Sequence, residues 1–127
     1  MKRLIIYSGI LFTMGLILTG CYKDINIPPT VADPDGPPQA VNYSADLMPL
    51  FNSSCALSGC HTSGGHHPYM NSDVSFNELL NGGFVNTDIP KQSILYKMIN
   101  SDMKTYIPSA ADRQKVYDWI RNGAPNN

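Results

Sequence analysis

The sequence predicts a small all-α domain, on three grounds. Apolar residues recur at three- and four-residue intervals in four separate segments, the spacing that gathers side chains on one face of a helix. The clearest of these segments are bounded by residues suited to starting or stopping a helix. No segment alternates apolar and polar residues as a half-buried strand does.

Ahead of that domain, the first twenty residues read as an address. Lys2 and Arg3 supply a positive start, and Leu4 to Leu18 is an apolar run too short to span a bilayer as a mature helix. The run ends in Leu18-Thr19-Gly20-Cys21, which resembles the lipobox of bacterial lipoproteins. The resemblance implies removal of residues 1–20 and acylation of Cys21; an ordinary secretory signal or an uncleaved anchor is the alternative. Acylation would tether the chain to a membrane without spanning it. The expected location is the bacterial cell envelope, the outer membrane first, on its periplasmic or outer face.

Removal of the leader takes Lys2 and Arg3 from the nine Lys/Arg, leaving seven against ten Asp/Glu, a net charge of −3. No basic patch remains to argue for nucleic acid. The expected partners are the membrane, through the lipid, and redox or envelope-complex proteins.

Residues 21–42 read as a Pro-rich tether, punctuated by Pro28-Pro29, Pro34 and Pro37-Pro38. The folded domain is expected over residues 43–127, which is 127 less 42, or 85 residues. A domain of that size has a thin core and often needs a staple or a prosthetic group.

The first helix is expected from about Asp46 to Asn52, with Leu47, Leu50 and Phe51 on one face and Pro49 tolerated only in its first turn. The second opens on a capping-box pattern, Ser75-Phe76-Asn77-Glu78, and stops at Gly82-Gly83. The third begins near Ser93 and brings Ile94, Leu95, Met98 and Ile99 to helical spacing. The last is capped by Ser109 with Asp112 three residues on. Its apolar face is Val116, Trp119 and Ile120, and it ends at Gly123 and Pro125.

The chemistry concentrates in Cys55-Ala56-Leu57-Ser58-Gly59-Cys60-His61. A Cys pair ending directly in His is how chains that carry covalent haem are built: the thiols join the vinyl groups and the next imidazole ligates the iron. The usual pair encloses two residues, whereas this one encloses four. With Cys21 acylated, Cys55 and Cys60 are the only other thiols, and outside the cytoplasm they are expected to bond to a cofactor or to each other before they stay free, the third alternative. A disulfide across so short a loop is sterically open and would contribute only about 2–3 kcal/mol. Gly59 offers the backbone freedom for a bulge between two thioether positions.

The helix before this motif, the loops after it and the helix that ends the chain make the whole domain similar to small c-type cytochromes. It resembles in particular the lipoprotein cytochrome c-like domains of Bacteroidetes with a wide-spaced Cys pair. The matching residues are Leu47-Met48-Pro49-Leu50-Phe51, Ser58-Gly59-Cys60-His61, Ser93-Ile94-Leu95-Tyr96 and Trp119-Ile120-Arg121-Asn122-Gly123-Ala124-Pro125-Asn126-Asn127. The resemblance implies about four helices with long loops and a C-terminal helix crossing the first. It also implies a covalent haem c on Cys55 and Cys60, His61 as proximal iron ligand, and a monohaem electron carrier, not an enzyme.

One position departs from the family. The Met-Pro pair that supplies the sixth iron ligand there reads Ile107-Pro108 here, and isoleucine cannot bind iron. Met103, four residues earlier, is the expected substitute; His66, His67 and Met70 offer a second route, and an open sixth position a third. Each residue also has a plainer reading. His66-His67, between Gly64-Gly65 and Pro68, fit an exposed loop pair, Met98 fits a packed helix face, and Trp119 with Tyr117 fits packing over electron relay. Tyr106 and Ile107 are expected to close the pocket. The rival reading of the whole chain is an accessory lipoprotein without haem, a subunit of an envelope complex pinned by a Cys55–Cys60 disulfide. An open-site haem that binds small ligands is a weaker third.

Overall fold

The computed structural model describes residues 34–127; the leader, Cys21 and the tether as far as residue 33 lie outside the described residues. Four α-helices appear in chain order: α1 (Met48–Ser54), α2 (Ser75–Asn81), α3 (Ile94–Asn100) and α4 (Ala110–Arg121). A π-helical turn, Tyr43–Leu47, leads directly into α1, and a 3-10 turn, Pro90–Gln92, leads towards α3. Among the described residues there is no strand. The domain is all-α with long loops.

The first helical run starts earlier than its apolar spacing implies because Asn42 and Asp46 cap each other. The Asn42 side chain accepts the Ala45 N–H at 2.9 Å, and the Asp46 carboxylate accepts the Asn42 N–H at 2.8 Å. Pro49 falls in the first turn of α1, where its missing N–H leaves no carbonyl unpaired. At the other end of the chain Ser109 caps α4 by accepting the Asp112 N–H at 3.2 Å. Gly123 then takes a φ of +87°, a left-handed turn that releases the chain from the helix.

The capping box expected at α2 does not form. Ser75 lies inside the helix and is fully buried, its hydroxyl 2.7 Å from the Tyr43 hydroxyl. Glu78 turns away to the 67–69 loop. Tertiary partners outbid the local cap for both side chains. Ser93 is likewise diverted from α3: its hydroxyl accepts the Asn86 N–H at 2.9 Å and fixes the preceding loop.

The core sits where the start and end of the domain meet. Tyr43, Leu47, Phe51, Val116, Trp119 and Ile120 are all fully buried. The Tyr43 ring lies 5.2 Å from Trp119 and 5.1 Å from Phe76, centroid to centroid, the latter edge to face. Trp119 satisfies its one donor on the Pro125 carbonyl at 2.9 Å, so the chain beyond α4 folds back over the indole. Asn127 closes the arrangement by accepting the Tyr43 N–H on its side chain and the Ser44 N–H on its carbonyl.

Residues 34–42, read from sequence as the end of the tether, lie along α4. Asp118, almost wholly buried, accepts the Gln39 N–H as well as donors from Gln114 and Arg121. Arg121 and Gln114 reach the Pro34 carbonyl, and Asn122 donates to the Gln39 carbonyl at 2.8 Å. Lys91 holds Asp35 at 2.6 Å, and Val41 enters the core. Proline keeps its carbonyls free of helix or sheet pairing, so α4 side chains can take them.

Tyr43→Phe removes one half of the buried hydroxyl pair and leaves Ser75 without its partner. The expected cost is about 1–3 kcal/mol. For a domain of this size that lowers the Tm by roughly 4–8 °C per kcal/mol, which a thermal melt of the variant against the parent reads directly.

Candidate functional site

A cavity of about 380 Å³ opens beside the Cys/His segment, and Cys55, Cys60 and His61 all line it. Its walls are mainly hydrocarbon: Leu79 from α2, Phe84 from the following loop, and Ile94, Leu95 and Ile99 from α3. The size and lining match sites that bury a small apolar molecule. The structure therefore gathers around one space residues separated by more than forty positions in sequence.

Cys55 caps the C-terminus of α1, its N–H on the Phe51 carbonyl at 2.8 Å. The chain then turns through Gly59, at a φ of +77°, so that the His61 N–H returns to the Cys55 carbonyl at 3.2 Å. This return accommodates the four residues between the thiols. Both cysteines are free thiols and half-buried. Burial, and then the proximity of Cys60, pushes the Cys55 thiol up to about 11, so at neutral pH it stays protonated.

Beyond Cys60 the loop folds back on itself and orients His61. The His66 N–H donates to the Cys60 carbonyl and the Met70 N–H to the His61 carbonyl, each at 2.7 Å. The His61 Nδ1 lies 3.1 Å from the His66 carbonyl. A carbonyl only accepts, so Nδ1 carries the proton and the neutral ring keeps its lone pair on Nε2. That is the tautomer a metal-ligating imidazole needs.

Close passage of the loop requires glycine at position 65. A Cβ there would collide with the Cys60 carbonyl oxygen, a backbone atom that cannot swing aside.

His66 and His67, read as alternative distal ligands or as an exposed pair, are both exposed and point to different duties. Both line the cavity, and His66 also serves His61 through its backbone carbonyl. His67 donates from Nδ1 to the Glu78 carboxylate at 2.7 Å and stacks on Tyr69 with ring centroids 4.0 Å apart. Glu78 also accepts the Tyr69 N–H at 3.2 Å. These two donors, His67 first, hold the Glu78 carboxyl below the usual glutamate range.

Met103 lines the cavity, as do Met98 and Met70. Met70 is bonded through its backbone to His61 and so belongs to that segment. Met98 and Met103 arrive on α3 and the loop after it, with the Met103 N–H on the Met98 carbonyl at 2.9 Å. Met98 lies partly exposed at the cavity instead of packed into the core. Ile107 is 1% exposed and belongs to the core, so of the two residues expected to close the pocket only Tyr106 lines it. Trp119 lies in the core with Tyr43 and Phe76 and does not reach the cavity wall.

Three features escaped the sequence reading. The His66 carbonyl could not be foreseen, since any backbone carbonyl can serve. Met98 carried a signal, its helical spacing from Ile94 and Leu95, but the packed reading absorbed it. Glu78 carried a misleading one, the serine three residues before it.

Chemically, two thiols and an imidazole with a free Nε2 can hold a flat apolar group covalently and offer a nitrogen to a metal at its centre. Among the described residues, no three His, Cys, Asp or Glu side chains cluster to hold a bare metal ion. No protein-family profile, curated protein or solved structure matches this chain.

Two outcomes are expected. In the reduced chain without cofactor, alkylation of Cys55 should rise with pH up to about 11, running at pH 8 near a thousandth of its limiting rate. A profile already flat between pH 8 and 10, followed by mass spectrometry of the labelled peptide, would show an ordinary thiol. Gly65→Ala should lower the Tm and disturb the amide signals of Cys60, His61 and His66 together, because the new methyl group must displace the Cys60 carbonyl.

Proposed function

We propose that this chain is a membrane-tethered, monohaem c-type cytochrome-like protein that carries electrons in the bacterial cell envelope. The observation that carries the reading is the His61 Nδ1–H bond to the His66 carbonyl, beside two thiols on an apolar cavity. On this reading Cys55 and Cys60 hold the porphyrin, His61 is the proximal ligand, and Met103, which lines the cavity with Met98 and Met70, supplies the distal thioether.

Haem, when bound, supplies an iron that alternates between two oxidation states, and the protein sets its potential and access. The chain's own residues perform the rest. The cavity walls exclude water, the carbonyl of His66 raises the basicity of His61, and the apolar side chains disfavour the more highly charged oxidised centre. A thioether on the sixth position would raise the potential further. Acylation at Cys21 is the proposed attachment, which would keep the domain at high effective concentration near membrane partners.

The second reading, an accessory lipoprotein without haem, draws on one observation. Ile107 fills the core at the place where the distal methionine is expected, so the fold there is complete without an iron ligand.

The deciding experiment uses the full chain from a host with cytochrome maturation machinery. On the first reading it should keep haem peroxidase staining after denaturing electrophoresis, and Cys55→Ser with Cys60→Ser should abolish it. A colourless product whose mass is the bare chain less two hydrogens would establish the disulfide and sink the haem reading.

A further inference from the structure

We propose that Glu78 is a positioning residue for the His61 imidazole, acting through the loop that carries its hydrogen-bond acceptor. The inference rests on the reading of His61 as an iron ligand and names the group that sets it.

Three bonds join His61 to the segment that follows it. Its ring donates to the His66 carbonyl, its own carbonyl accepts the Met70 N–H, and the adjoining Cys60 carbonyl accepts the His66 N–H. All three depend on where residues 66–70 lie. The two ends of the loop are held locally, by the Gly65 N–H on the Thr62 carbonyl and by the Asn71 side chain on Ser63 and Thr62. Between them His66 and His67 are exposed, and the side chain that holds this middle part comes from another element. One carboxylate oxygen of Glu78 accepts both the His67 ring N–H and the Tyr69 backbone N–H, and so grips the loop on both sides of Pro68.

Glu78 can do this because it stands on a helix anchored elsewhere. Its neighbours Ser75 and Leu79 are fully buried, Ser75 on the Tyr43 hydroxyl and Leu79 on the cavity wall. The helix thus serves as a fixed post, and the carboxylate transmits its position to the loop. A charge-assisted acceptor suits the task, being stronger than a neutral one. Two bonded donors leave it less freedom than one would. Glu78 bonds to His67 and not to Cys55, Cys60 or His61, so its effect on His61 is indirect.

The test compares Glu78→Ala, Glu78→Gln and, as a control on the same helix, Asn77→Ala, in the isolated full-length chain. Haem staining assigns the readout. If the chain stains, the midpoint potential is measured: losing orientation of the His61 acceptor weakens a basic ligand, and the potential should move positive in Glu78→Ala. Glu78→Gln, whose amide oxygen still accepts, should recover most of that shift, and Asn77→Ala should show none. If the chain does not stain, the histidine nitrogen–proton spectrum is recorded instead. The parent should then hold His61 as the Nδ1–H tautomer, with Glu78→Ala admitting the Nε2–H form and Glu78→Gln largely restoring the parent.

In that second arm the haem reading has failed while the positioning role is still decided. An unchanged readout in Glu78→Ala overturns the proposal. A shift of equal size in both Glu78 variants also overturns it, since it would report only the lost charge. Should Glu78→Ala fail to fold, the near-isosteric Glu78→Gln against the parent, with Tyr69 amide exchange as the measure of the surviving bond, keeps the question decidable: faster exchange with an unmoved His61 signal rejects the link.

Discussion

The constraint on which the site depends is the doubling back of the chain between Cys60 and Met70. A backbone that reverses so tightly brings its own carbonyls against its own amides, and one carbonyl is left for an imidazole. Glycine at 65 is the steric condition for that approach. Ring orientation and tautomer follow from the same reversal, while Cys55 is placed by the end of α1 and the turn at Gly59.

Around that loop the helices have divided duties. Tyr43–Leu47 and α4 build the core, with Trp119 at its centre and Asn127 closing the chain on Tyr43. α2 joins that centre through Phe76 and Ser75, while its Leu79 and the Ile94, Leu95 and Ile99 of α3 stand on the cavity wall. The apolar side chains on the cavity wall are thus drawn from elements that also pack into the core.

The helices were legible because their positions follow from spacing: Leu47 with Phe51, and Val116 with Trp119 and Ile120, are in sequence as they are in the core. The Cys/His segment stood out by its residue types, and the structure sets Cys55, Cys60 and His61 on one cavity. What stayed hidden were choices between local and distant partners. Ser75 and Glu78 spell a capping box, yet a tyrosine hydroxyl and a loop of two histidine neighbours claimed them. Backbone acceptors such as the His66 carbonyl leave no trace in composition. The stretch at 34–42 was read from its prolines as free chain, and only buried Asp118, an unusual residue inside a terminal helix, hinted that something polar would come to meet it.

That docked stretch shortens the leash. With residues 34–42 fastened to α4, only the thirteen residues 21–33 would remain to span any gap to the proposed acyl anchor at Cys21. Fully drawn out they cover at most about 45 Å. Were Cys21 acylated as proposed, a domain so closely leashed would sweep only a shallow zone above the bilayer surface.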